Sequence, residues 1–502
     1  MDLELVFEEK ITQYPNLILC EEREQEETVD LIIPDSYPDG AQVLQAYGTP
    51  LIYSMEISGD TAVISGEIQG GVLYEGMEGQ LRCVKARVPF SFRRELQERG
   101  EMLRLNCSCS LLSADARLLN SRKLLLRVNV NCSLRVYGNR EFRSYEMPDP
   151  APVLQLKRTE LPLQLPVSLG EKRFSLQEEL PLPRELPEAV HLLKTCYGMT
   201  VTEQKAVGDK AVFKGELHIS CLWESEEEQI LSHRWSVPFS QYATMDRDIE
   251  DCQLCTQLCL LSADTQPDRQ DGSRLLCAVE ICAQTVATGI SKQVLIEDAY
   301  CTDGELEPTY VQQKLTACLD RQQFRETAEL RSEIEAESIF SAYVYPGKAL
   351  RRKTDGERVH LEQTICCDLL YYDEQQHLCN CSLKTPVELD IPLQGNASCR
   401  IEQILCGEGQ CSLLGGEIVV RVPVELTVES SAEHSLKVVS GGEIKPLEAT
   451  GKRPSLILRF TEEAEELWEI AKSCKTSQAA IREANELTGE TVPANTLLLI
   501  PM

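Results

Sequence analysis

Between Ala211 and Trp223, apolar Ala211, Phe213, Leu217, Ile219, Cys221 and Trp223 alternate with Lys214, Glu216, His218 and Ser220. A period of two puts one set on a buried face and the other in solvent, so this stretch predicts a long β-strand. The same phase occurs at Ala62, Ile64, Ile68, Val72 and Tyr74. A polar turn, Glu224 to Glu228, precedes a second alternating run ending in Val237-Pro238-Phe239, which predicts an antiparallel hairpin. Proline cannot donate to a ladder, so Pro238 belongs at a strand terminus or a sheet edge.

This hairpin recurs from Gly59, Gly208 and Gly356. An offset of 149 carries Gly59 onto Gly208, Tyr74 onto Trp223, Pro89 onto Pro238 and Phe90 onto Phe239. An offset of 148 then carries Gly208 onto Gly356, Trp223 onto Tyr371 and Pro238 onto Pro386. Beyond the proline, Leu111-Leu112-Ser113-Ala114-Asp115 reappears as Leu260-Leu261-Ser262-Ala263-Asp264. A fixed long period marks tandem domains. The prediction is a mainly β chain with three sandwich-like β units at 31–150, 181–300 and 301–430, after an N-terminal segment 1–30 that carries no motif. The proline-dense stretch 151–180 reads as an extended linker, and 431–453, mixing Ser, Gly, Pro and charge, as a second.

Past residue 454 the pattern turns helical. Leu467, Ile470, Ala471 and Cys474 fall at i, i+3, i+4 and i+7, one face of an amphipathic helix. Glu462, Glu463, Glu465 and Glu466 are expected in its first turns, where the helix dipole favours anions. A second helix around Thr476 to Glu486, with strands at Ser455 to Phe460 and Thr496 to Ile500, completes a βααβ order over 454–502. That order resembles a LysM domain, as do Leu467-Trp468-Glu469-Ile470-Ala471-Lys472, then Ile481, Asn485 and Leu487, then Pro493-Ala494-Asn495. The resemblance implies a recognition groove drawing on Glu465, Glu466, Trp468, Asn485, Pro493 and Asn495. The family's Gly-Asp-Thr run before the first helix is replaced here by Ala464-Glu465-Glu466, a charged loop that favours a protein partner over a glycan.

Composition narrows the function classes. Lys+Arg total 50 against Asp+Glu 80, a formal net charge of −30, so counterion release cannot drive binding to nucleic acid or an anionic membrane surface. The acidic start Met1 to Glu9 and the absence of an apolar run near ~20 residues predict a cytosolic chain without membrane insertion. In that setting the 22 Cys are expected to be reduced packing residues rather than a disulfide framework. Cys252, Cys255 and Cys259 have a metal-like spacing, but at the offset of 149 they stand where the first unit has Leu103, Asn106 and Ser110. Asp115 and Asp264 read as turn caps. None of the six His lies at a spacing with acids or Cys that points to catalysis, so no catalytic, cofactor or metal site is expected and the chain is read as a non-enzyme.

The units also resemble a known domain, through Ile33-Pro34-Asp35, Val43-Leu44-Gln45, the Gly-acid strand start, the aromatic at Tyr74 or Trp223, and the Pro-Phe ending. These features resemble the SPOCS domain of spore-coat proteins from Clostridia. The resemblance implies a coat assembly scaffold at the forespore surface, on the mother-cell cytoplasmic side. Its SPOCS-type units would make assembly contacts, self-association among them, and its LysM-like tail would recruit the coat-basement ATPase SpoIVA. The alternative from another class is a peptidoglycan-binding protein whose tail grips cortex or wall glycan.

Overall fold

The computed structural model describes residues 3–97, 102–147, 150–354, 357–393, 397–415, 417–446 and 454–502. Strands make up 78% of the chain and helices 3%, and among the described residues the helices lie in the tail. The mainly β, sandwich-like expectation holds, and all three units share one strand plan.

In the first unit a long strand, Glu8–Ile32, leads into a three-stranded meander of Gly40–Ser58, Thr61–Gly76 and Leu81–Glu95. Arg104–Asn120 and Lys123–Glu146 then return, the last strand pairing with both the first and the penultimate. The second unit repeats this with Leu154–Pro181, the meander His191–Val207, Lys210–Glu224 and Ile230–Thr244, then Gln253–Pro267 and Arg274–Cys301. The third uses Gly304–Glu335, the meander Ser338–Thr354, Arg358–Tyr372 and Leu378–Pro392, a penultimate strand split into Ser398–Cys406 and Gln410–Leu414, and Glu417–Pro446. Alternation makes each sheet apolar on one face, and the two inner faces pack together. In the first unit Ile64, Ile68, Tyr74 and Phe90 meet Leu124, Leu126, Val128 and Val130. In the second Phe213, Trp223 and Phe239 meet Leu275, Val279 and Ile281.

Two glycine positions explain why the repeat keeps its phase. Gly59 and Gly208 open two-residue hairpin turns at φ 63° and 56°, a conformation that glycine adopts without a Cβ penalty. Gly66 and Gly215 sit opposite Phe90 and Phe239, and a Cβ there would lie 2.5 Å from the facing ring in each unit. The third unit replaces both partners together, pairing Gln363 with Val387. Gly356, its expected turn, lies outside the described residues.

The linker expectations are corrected. Residues 151–180 are no linker: Leu154–Pro181 pairs with Arg274–Cys301 along its whole length. Its other edge touches a neighbour at one position, Gln164 with Cys318, so this strand lies almost entirely at an edge, where a missing N–H costs least. Proline density marked an edge strand. The N-terminal segment 1–30 likewise belongs to the first sandwich through Glu8–Ile32, while Leu3–Val6 pairs with Glu417–Pro446. The second linker is a strand as far as Pro446, and 447–453 lie outside the described residues. Asp115 and Asp264 sit within strands, opposite Arg127 and Ala278, and cap no turn.

The three meanders converge on a shared apolar cluster that includes Tyr47 and Leu73, Leu193 and Leu222, and Leu370. Buried Lys194 reaches across it, its Nζ 2.6 Å from Gln45 Oε1 and over the rings of Tyr47 and Tyr343. A second junction is ionic: Arg135 of the first unit meets Arg321, Arg400, Glu402 and Glu429 of the third. No helix among the described residues is long and apolar enough to cross a membrane.

Cys255 and Cys259 are both buried and lie four strand positions apart, roughly 13 Å, which is too far to share an ion. Burial raises the Cys255 thiol and takes that of Cys221 to about 12, which suppresses thiolate. Cys20 and Cys411 are the exposed thiols. A chromogenic disulfide reagent is expected to modify these two first in the native chain and the buried thiols only after denaturation; prompt native reaction at Cys255 or Cys367 contradicts the packing.

Candidate functional site

The tail folds as Leu456–Thr461, helix α1 (Leu467–Cys474), helix α2 (Gln478–Asn485) and Thr496–Pro501. Its outer strands pair antiparallel, and a two-residue ladder joins Glu465 and Glu466 to Val492 and Thr491. Leu467, Trp468, Ile470, Ala471 and Ile481 pack against Leu498 and Ile500. Ser477 caps α2, accepting from the Ala480 N–H, and Lys475 and Glu486 close the two helices in left-handed conformations. Because α1 begins at Leu467, the acids Glu462, Glu463, Glu465 and Glu466 precede the helix instead of lying in its first turns.

Two stretches adjoin that ladder, 462–464 before its first strand and 487–495 around its second, and most of their residues are exposed. Glu465 accepts from Arg459 Nη2 at 2.6 Å, and Glu466 pairs with Lys157 Nζ at 2.9 Å. Pro493 and Asn495 are exposed and contribute backbone: the Pro493 carbonyl accepts from Thr461 Oγ1 at 2.8 Å, and Asn495 N–H donates to the Thr461 carbonyl at 2.7 Å. Glu462, Glu463 and Glu490 are exposed in these stretches, so the surface beside the ladder is acidic. Residues 464–501 match the LysM domain. No curated protein and no solved structure matches the chain. A LysM domain points to carbohydrate or peptidoglycan binding as the general class of role.

Of the six predicted residues, Glu465 and Glu466 lie in the short ladder, paired with Val492 and Thr491, and Pro493 and Asn495 lie just beyond it, bonded to Thr461. Asn485 does not join them. Its Nδ2 donates to the Ile481 and Leu499 carbonyls at 2.8 and 2.7 Å, and its Oδ1 accepts from the Leu499 N–H at 2.7 Å, so it ties α2 to the last strand. Trp468 is 5% exposed and faces the second unit. Its Nε1 donates to Asp298 Oδ2 at 2.8 Å, and its ring meets Tyr300 edge-on at 4.8 Å. Lys472 Nζ reaches the same Asp298 oxygen at 2.6 Å, and Tyr300 Oη donates to the Thr476 carbonyl at 2.7 Å. The LysM domain is therefore docked on the end of Arg274–Cys301. Burial alone would raise the Asp298 carboxyl, but the bonds from Lys472 and Trp468 outweigh it and hold the group below its ordinary range.

Asp298, Tyr300 and Lys157 were missed by sequence reasoning. Trp468 and Asp298 stand 170 positions apart, and no local period or motif links them.

Proposed function

We propose that this chain is a non-enzymatic assembly scaffold in which three packed β units form the body and the LysM domain is the recognition module. The reading extends to a spore-coat morphogenetic role at the forespore surface, in the mother-cell cytoplasm, supported by the SPOCS-like residues and by a three-unit-plus-tail order that resembles the clostridial coat protein SipL. A SpoIVA-type ATPase is the proposed partner. The observation that carries this reading is the acidic surface beside the short LysM ladder, where Glu462, Glu463 and Glu490 stand exposed. Carboxylates there complement a basic protein surface and offer little to an uncharged acetamido sugar.

The full chain bearing Glu462→Lys, Glu463→Lys and Glu490→Lys is expected to lose capture of the purified ATPase that the parent retains. Equal capture by parent and variant overturns the reading. The LysM match itself favours a second reading, peptidoglycan binding. Cosedimentation of the parent with insoluble peptidoglycan, without ATPase capture, would establish that alternative in place of the first.

A further inference from the structure

The outer face of the third meander carries a set of side chains that its two sister units lack. The ladder between Arg358–Tyr372 and Leu378–Pro392 sets His360 opposite Asp390 and Glu362 opposite Glu388. One donor atom from each of His360, Glu362 and Glu388 lies within 4.8 Å of the other two. His360 Nδ1 is 3.1 Å from Asp390 Oδ1. With that nitrogen donating to a carboxylate, the lone pair left for a cation is on Nε2, the arrangement by which carboxylates orient metal-binding imidazoles.

Internal comparison shows that the fold does not require these residues. At the same four ladder positions the second unit has Val212, Lys214, Ser240 and Tyr242. The first unit has Val63, Ser65, Ser91 and Arg93. Only the third replaces neutral and basic side chains with an imidazole and three carboxylates. Glu362 and Glu388 stand directly across the ladder, where like charges destabilise a sheet, and neither has an ion-pair partner among the described side chains. A bound cation would reverse the sign of that interaction.

We propose that His360, Glu362 and Glu388 hold a divalent first-row transition-metal ion of the Zn2+ type, with Asp390 as the positioning residue for the imidazole. One nitrogen and two carboxylate oxygens suit such ions, and three protein ligands leave coordination for water or a partner's side chain. The site is independent of the LysM domain.

Co2+ is the probe, because its visible d–d bands report nitrogen and oxygen ligands while thiolate ligation adds sulfur-to-metal charge transfer in the near ultraviolet. This separates the site from the cysteines. Titration of the full, reduced chain with CoCl2 is expected to give saturable d–d absorption without the sulfur band. His360→Val and Glu388→Ser, which install residues the sister units already use, are expected to keep the fold by circular dichroism and to raise the Kd for Co2+ at least ~10-fold. Asp390→Asn is expected to raise it by about 10- to 100-fold, as loss of an orienting partner does. Binding by His360→Val and Glu388→Ser within twofold of the parent, or a spectrum with the sulfur band, overturns the proposal.

Discussion

Replacing Glu402 by Leu is expected to lower the stability of the chain by about 3–5 kcal/mol, measured as a shift of the urea midpoint. The Glu402 side chain is 2% exposed, with Oε2 2.9 Å from Arg321 Nε and Oε1 3.9 Å from Arg135 Nη1. Arg321 also lies 3.1 Å from Glu429, which takes Arg400 at 2.7 Å. Three guanidiniums thus share two carboxylates at the junction of the first and third units. The ladder slips by one residue at Glu402, between Ile401 and Gln403, which leaves Glu402 without a cross-strand partner of its own. The cost comes from leaving Arg135 and Arg321 buried without their counter-charge. Adding Arg321→Met to Glu402→Leu is expected to recover part of the loss, and a Glu402→Leu midpoint equal to the parent's would sink the argument. The same cluster sets an acid limit. Burial alone would raise the Glu429 carboxyl, but Arg400 and Arg321 outweigh it and the folded group titrates below its ordinary range. A depressed folded pKa adds stability above the unfolded value of about 4, and this is lost as pH falls through the folded one.

Trp468→Ala is expected to cost the LysM domain about 3–5 kcal/mol and to release it from the second unit. The indole fills the small core of the tail and also supplies the ring contact to Tyr300 and the bond to Asp298. Hydrogen exchange of the Leu467–Cys474 amides reads both effects. Asp298→Asn separates them: it keeps the shape, removes the charge facing Lys472, and is expected to loosen docking by about 1–2 kcal/mol while α1 stays folded. Because the folded Asp298 carboxyl titrates low, docking in the parent should be flat from neutral pH to about 4 and weaken only below that. Unchanged α1 exchange in Trp468→Ala would show that neither contact holds the tail.

Legibility followed the range of the signal. Alternation and the offsets of 149 and 148 are properties of neighbouring or equivalent positions, so the meanders, the threefold repeat and the βααβ tail were readable from residues alone. The boundaries were not. Proline density accompanies both extended linkers and edge strands, and only the pairing of Leu154–Pro181 with Arg274–Cys301 distinguishes the two. Glu8–Ile32 escaped for a related reason: its run Glu21 to Glu27 reads as solvated charge, yet Glu21 pairs with Arg94 and Glu24 with Lys348. At the candidate site Glu465 and Glu466 lie in the short ladder with Pro493 and Asn495 just beyond it, whereas the Trp468 indole turns to Asp298 and Asn485 ties α2 to the last strand.

The sequence by itself determined the strand phase, the three equivalent units, the helical tail and its LysM character, because each depends on residues close in the chain or on copies of the same pattern. Only the tertiary structure decided that the tail is docked through Asp298, that Glu402 lies inside an ionic junction, and that His360 meets Asp390 across a ladder. Those outcomes depend on which sheet faces and edges come together, and packing between distant segments sets that without leaving a local pattern.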